Sequence, residues 1–164
     1  FREQIDEFAL SHQVIAPDFL GYGKSGRRAA LDEYFYQRDA EDVVELVQHL
    51  GFSQVHLCGF SDGAVVAMIV AGRYVASVRS LILIGGQAVL DDQSMEETRK
   101  LIPAEQLAEG LQRALGRIHG YPYWKQLVTE YVDVTERLYL RGGQHPRRLS
   151  GQYRLPNTHH PRGK

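Results

Sequence analysis

The sequence predicts an α/β fold: a mostly parallel sheet with flanking helices, followed by a helical insertion. Three observations carry this. Short apolar runs at His12 to Asp18, Gln54 to Phe60 and Val78 to Gly85 have the length and boundaries of buried strands. Helical stretches separate them, and parallel neighbours need such crossovers. From residue 91 to residue 140 the strand signals stop and helical spacing takes over.

Each element has a local reason. Arg2 to Leu10 reads as the end of a helix. The run HQVIAPD halts at Pro17-Asp18. A basic, Gly-rich loop covers residues 19–30. Leu31, Phe35, Val43, Val47 and Leu50 then recur at helical spacing, with Asp39, Glu41, Asp42 and Glu45 mostly opposite, and Gly51 stops the helix. QVHLCGF is the second strand. Gly63 to Arg73 is small and apolar, as in a helix packed closely on a sheet. VRSLILIG is the third strand. Asp92 or Ser94 can cap the next helix, Pro103 can start a second, and Pro122 a third. That third helix places Tyr123, Leu127, Tyr131, Val134 and Leu138 on one face. Three strands make a sheet too small to cover itself, so exposed edges and faces are expected.

Composition sets bounds. The chain has 164 residues, 43% hydrophobic and 24% charged, with a net charge of −1. This suits one globular domain. No apolar run approaches the ~18 residues of a membrane span, and no signal peptide is visible. The first residue is Phe1, which implies that the natural start lies upstream. Cys58 has no second cysteine to pair with, and is expected to be a small buried hydrophobe. Arg141 to Lys164 holds six Lys/Arg and no Asp/Glu. A basic tail can mark nucleic-acid or membrane contact; with no supporting motif, neither partner is expected.

The chemistry concentrates at Gly59-Phe60-Ser61-Asp62-Gly63. This GxSxG lies at a strand end, immediately before a helix, which is the context of a nucleophile elbow. The turn is tight enough that bulky flanking residues clash with backbone. It projects the Ser61 hydroxyl above the carboxyl edge of the sheet, and the amide of Asp62 can donate to an oxyanion. Asp62 is adjacent to the nucleophile and so is not placed to be a triad carboxylate. It is either a helix N-terminal acid favoured by the dipole or a charge that holds a substrate's ammonium group.

Other motifs resolve into structure. Gly21-Tyr22-Gly23-Lys24-Ser25-Gly26 matches GxGxxG, but no helix opens at once and the next strand runs into the serine turn, so a flexible turn near the site rim is expected. The seven histidines show no metal-ligand spacing. His56 is expected to be a hydrogen-bonded core residue. His159-His160 lies in the unpatterned tail, and neither site follows a strand in the order Ser, acid, His.

Taken together, these residues resemble the α/β-hydrolase superfamily. VIAPDFLGYGKSG looks like its fourth strand and following loop, and the YQRDAEDVVELVQHLG helix and VHLCGFSDG elbow follow in family order. Within it, GFSDG, YQRDAEDVVEL and GYPYWKQLVTEYVD are similar to the valacyclovir-hydrolase, or biphenyl-hydrolase-like, group. The likeness covers roughly residues 1–143. It implies a partial α/β-hydrolase core at 1–90, a helical cap at 91–141 and an unpatterned basic tail at 142–164. It implies that Ser61 is the nucleophile, that the Asp62 amide is one oxyanion donor, and that the Asp62 side chain binds the amino group of amino-acid esters. The family's preceding oxyanion loop, and its later strands with the catalytic Asp and His, have no counterpart here. A one-base frame shift lets the codons of Leu155 to Arg162 encode a strand like the family's CPTLIIHG, which is testable by sequencing the transcript.

The expected function is a serine hydrolase cleaving small-molecule carboxylic esters, amino-acid esters among the candidates, by acyl transfer, with no metal or organic cofactor; the chain is expected to be incomplete, and the complete protein a monomer. The expected location is cytoplasmic, or mitochondrial if a targeting segment precedes residue 1. A non-catalytic binding or regulatory isoform, and a product without function, are the alternatives.

Overall fold

The computed structural model describes residues 1–143. The tail from 144 onward, with His159-His160 and the frame-shifted strand, lies outside the described residues. The elements are α1 (Arg2–Phe8), α2 (Phe35–His49), β1 (Val55–Phe60), α3 (Asp62–Arg73), β2 (Val78–Ile84), α4 (Asp92–Arg99), α5 (Glu109–His119) and α6 (Tyr123–Leu140). β1 and β2 pair in parallel, with Leu57 opposite Leu81 and Phe60 opposite Ile84. The crossover between them is α3, an apolar helix whose small residues Ala64, Ala67 and Ala71 are buried against its surroundings.

The expected strand at His12 to Asp18 is not a strand. The segment runs as irregular chain, because among the described residues no strand lies beside it to share a ladder. The sheet therefore has two strands where three were expected.

One core lies on one face of that sheet. It joins Leu31, Phe35, Tyr36, Ala40 and Val44 to Val65, Val66, Ile69 and Val70 of α3, and to Leu127, Val134 and Leu138 of α6. Side chains alternate along β1. Leu57 packs against the core, whereas His56, Cys58 and Phe60 face the other way and are exposed. This corrects two expectations. Cys58 is exposed rather than buried. His56 is hydrogen-bonded, to Ser80 Oγ at 2.6 Å, but it is not in the core. Phe1 and His12 make edge contacts with Phe60 and His56 and screen part of that face.

From Asp92 to Leu140 the regular structure is α4, a 3₁₀ turn, α5 and α6, with no strand among the described residues. The insertion's start and finish meet: the Leu90 amide donates to the Gly143 carbonyl at 2.6 Å. Gly143 sits at φ +68°, and a Cβ there lies 2.3 Å from the Leu90 carbonyl oxygen. The α4 cap is Asp91, not Asp92 or Ser94. From one position before the helix a carboxylate reaches the amide of the third helical residue, here Ser94 N at 2.8 Å. Pro103 opens a single 3₁₀ turn, Ala104–Gln106, which ends in extended chain at Leu107; the α-helix starts only at Glu109. Pro122 caps α6 directly.

The Gly-rich loop is tied down on several sides, not loosely tethered. Gly21 and Gly23 have positive φ and let the chain fold back, with Gly21 N donating to Gly26 O at 2.8 Å. Asp18 accepts from Lys24 N at 2.9 Å, and Gly23 N donates to His119 Nδ1 at 3.1 Å. Arg27 lies over the Tyr123 ring, 3.8 Å from its centroid. Arg28 forms an ion pair with Asp39 of α2, and both side chains are almost fully buried.

Burial pushes the Asp39 carboxyl up to about 6 from its ordinary 3.8; the Arg28 guanidinium holds it down, and the charges of Asp42 and Asp62 push it further up. The folded state therefore binds this proton more tightly than the unfolded chain. Stability from Asp39 is gained as pH falls through about 6 toward about 4, and is lost above 6. Urea midpoints of wild type and Asp39→Asn measured across that window should show the wild-type-minus-variant difference shrinking as pH rises.

At the β1–α3 junction backbone packs directly on backbone. A Cβ on Gly59 lies 2.3 Å from the Gly63 carbonyl oxygen and 2.6 Å from Ala64 Cα, whereas a Cβ on Gly63 meets nothing within 4 Å. The expected clash at both flanking positions therefore holds only at Gly59. Gly59→Ala should cost about 1–3 kcal/mol or prevent folding, as overpacking against backbone does. Gly63→Ala, inside a helix and in open space, should be neutral or stabilising by up to about 1 kcal/mol. Paired denaturation curves check both.

Candidate active site

Ser61 occupies the single residue between β1 and α3. Its backbone sits at φ 52°, ψ −121°. It is the one non-glycine with positive φ among the described residues. Such a conformation costs about 1–3 kcal/mol and persists only where its surroundings enforce it. Here three things enforce it. Ser61 N donates to Ile84 O at the end of β2, at 2.9 Å. Ser61 O accepts from Ala64 N at 2.9 Å, starting α3. Gly59 lets the first turn of α3 settle directly on the strand. The result is an exposed serine at the carboxyl end of the sheet, beside a helix N-terminus with unsatisfied amides.

Asp62 begins α3, and its side chain turns toward the other helices. Oδ1 accepts from Tyr36 Oη of α2 at 2.7 Å and from Tyr131 Oη of α6 at 3.1 Å. Burial pushes the Asp62 carboxyl up, and the two tyrosine hydroxyls hold it down. The effect on the phenols is reciprocal. Burial, then the Asp62 charge, raises Tyr36, Tyr131 and Tyr22 well above the ordinary phenol range. Among the described residues no Lys, Arg or His forms an ion pair with Asp62. The site thus holds a carboxylate satisfied by hydroxyls but not neutralised by a cation.

Sequence reasoning places Ser61 and Asp62 together, and the structure does the same. It missed Tyr36 and Tyr22, and it gave Tyr131 a packing role alone. For Tyr36 and Tyr131 the available signal was a phenol on the apolar face of a helix, where the hydroxyl needs a partner; Tyr22 lies in a loop and gave none. Among the described residues no hydrogen bond joins a histidine to Ser61: His12 bonds Ser11, His56 bonds Ser80, His119 accepts from Gly23 N, and His49 ends α2. No group of three His, Cys, Asp or Glu among them is arranged to hold a metal ion. None of the described helices is long and apolar enough to cross a membrane.

Comparison with known proteins agrees with this geometry. The family model of the alpha/beta hydrolase fold matches residues 1–133. Serine hydrolase BPHL from Mus musculus and from Homo sapiens are each 31% identical over 123 residues, which is 73% of this chain and 42% of theirs. A 2-hydroxymuconate semialdehyde hydrolase from Pseudomonas sp. (strain CF600) is 37% identical over 91 residues, covering 54% of this chain and 31% of that protein. The chain thus spans less than half the length of these curated relatives. The crystal structure of NosK from Streptomyces actuosus superposes with a TM-score of 0.74 at 22% identity, over 88% of this chain and 61% of that one, a likeness of fold. A strained serine on a strand–helix turn, a parallel β–α–β unit under helices, and a family match over most of the length have one reading: this chain belongs to the α/β-hydrolase fold family.

Proposed function

We propose that the protein is a serine hydrolase that cleaves small-molecule carboxylic esters, amino-acid esters among them, by acyl transfer. The observation that carries this is Ser61 itself. It is exposed, and is held in a positive-φ turn with a helix N-terminus behind it. The name of the BPHL relatives, serine hydrolases, supports the same reading.

In this reading Ser61 Oγ attacks the ester carbonyl and the alkoxy group leaves. Water then attacks the acyl-serine, and the carboxylic acid departs. The carbonyl oxygen becomes an oxyanion in both steps. The Asp62 amide, at the first turn of α3, is one donor to it. The Asp62 carboxylate, which no cation among the described residues neutralises, holds a substrate ammonium group near the reacting carbonyl. The cap helices roof the pocket and set its specificity. Proton transfer needs a histidine and an acid that orients it; among the described residues no histidine bonds Ser61, and Asp62 is bonded by tyrosines instead.

That same lack supports a second reading, a non-catalytic α/β-hydrolase-like protein that binds ligands or regulates. A fluorophosphonate probe separates the two. The catalytic reading expects covalent labelling of the chain that disappears in Ser61→Ala. A chain that is folded by circular dichroism yet stays unlabelled supports the binding reading instead. If labelling occurs, Asp62→Asn should weaken kcat/KM for amino-acid esters at least about tenfold, as expected for loss of a charge-assisted contact. It should leave uncharged esters little changed. Equal losses on both substrates rule out ammonium recognition by Asp62.

A further inference from the structure

Two phenols converge on one oxygen of the Asp62 carboxylate, and this has a consequence for which cations the site accepts. Tyr36 Oη and Tyr131 Oη both donate to Oδ1, at 2.7 and 3.1 Å. A carboxylate oxygen offers about two lone-pair positions, so these two donors fill Oδ1. No hydrogen bond among the described residues engages Oδ2. Oδ2 is also not among the buried polar atoms left without a partner.

The phenols are held in place. Tyr36 is 1% exposed and lies against Phe35, with ring centroids 3.8 Å apart. The Tyr131 ring meets the Phe35 edge at 6.4 Å, and its carbonyl accepts from Thr135 Oγ1 at 2.7 Å. One donor comes from α2 and the other from α6, so neither moves without its helix.

We propose that Tyr36 and Tyr131 are specificity-determining residues: by occupying Oδ1 they leave a one-oxygen receptor that takes a compact ammonium and rejects a planar amidinium or guanidinium. The inference rests on the reading that Asp62 receives a cationic group. A planar cation gains its advantage by placing two parallel N–H donors on both oxygens of a carboxylate. Against Asp62 it has only Oδ2, and its second N–H goes unmatched. An ammonium needs a single oxygen and loses nothing. The hydroxyls also favour the ionised carboxylate, opposing the effect of burial.

Benzylammonium and benzamidinium make a matched pair of probes, with the same ring and charge but different donor geometry. Their dissociation constants for the 164-residue chain are to be measured by NMR titration, alongside Tyr36→Phe/Tyr131→Phe, Tyr131→Phe and Asp62→Asn. Wild type should bind benzylammonium at least about fivefold tighter, and the double variant should bring the two within about twofold, mainly by gaining benzamidinium affinity. Tyr131→Phe alone should fall between, and it carries the test if the double variant does not fold. A wild-type ratio near one, or a ratio unchanged in the folded tyrosine variants while Asp62→Asn weakens both probes, overturns the role of the tyrosines alone. Absent benzylammonium binding, or binding that Asp62→Asn leaves intact, overturns ammonium recognition and the selectivity with it.

Discussion

The contact between the end of β1 and the first turn of α3 governs this structure. Gly59 has no side chain, so α3 starts directly on the strand it follows, with its backbone where a Cβ would otherwise stand. Because the helix starts so close, the chain must turn within one residue. Because it turns within one residue, Ser61 takes a positive φ and stands clear of the surface. Just past the end of β2, Gly86 also passes close over Ala64 of α3, where a Cβ of its own would lie 2.4 Å from the alanine methyl. The serine's exposure, the helix amides behind it and the Asp62 side chain pointing into the helices all follow from one missing methyl group.

The electrostatics divide into two neighbouring solutions to the same problem. Asp39 and Asp62 are both carboxylates among apolar side chains. Asp39 is answered by a cation, Arg28, which also donates through Nε to the Leu20 carbonyl at 3.1 Å and so pins the loop to α2. Asp62 is answered by hydroxyls. A buried ion pair neutralises charge but meets a large desolvation penalty. Hydroxyl donors satisfy lone pairs and leave the net charge in place. The first arrangement suits a structural post; the second suits a group whose counter-ion arrives from outside.

Much of this was legible in the sequence, wherever the controlling interaction was local. The glycine-flanked serine, the helix stop at Gly51 and the face of α6 are written in spacing, and the structure reproduces them. The face of α2 is reproduced only in part: Asp39, expected on its polar side, is buried against Arg28, and Leu50, expected on its apolar side, is exposed. Expectations failed where a distant segment decides. The run from His12 to Asp18 has strand composition, but a strand exists only with a neighbour to bond to. Cys58 sits in an apolar run, yet its face of the sheet is open, since alternation along β1 turns it away from the core. Tyr36 and Tyr131 lie 95 positions apart and meet at Asp62. No window of sequence shows that two phenols on separate helices share one acceptor.

The Leu90–Gly143 staple has a further consequence for how the chain tolerates change. The helices between these residues leave the sheet and return to the same point, joined by one short backbone bond. An excursion closed at its neck makes its conformational demands there, and the entropy of closing a longer loop grows only slowly with length. Helices can therefore be added to or removed from the middle of this segment without shifting the register of β1 on β2. The exception is α6, whose apolar face completes the core and whose Tyr131 reaches Asp62. In modular terms α6 is the fixture, and α4 is bound to it through the Arg99–Glu136 ion pair and the Tyr139–Asp92 hydrogen bond.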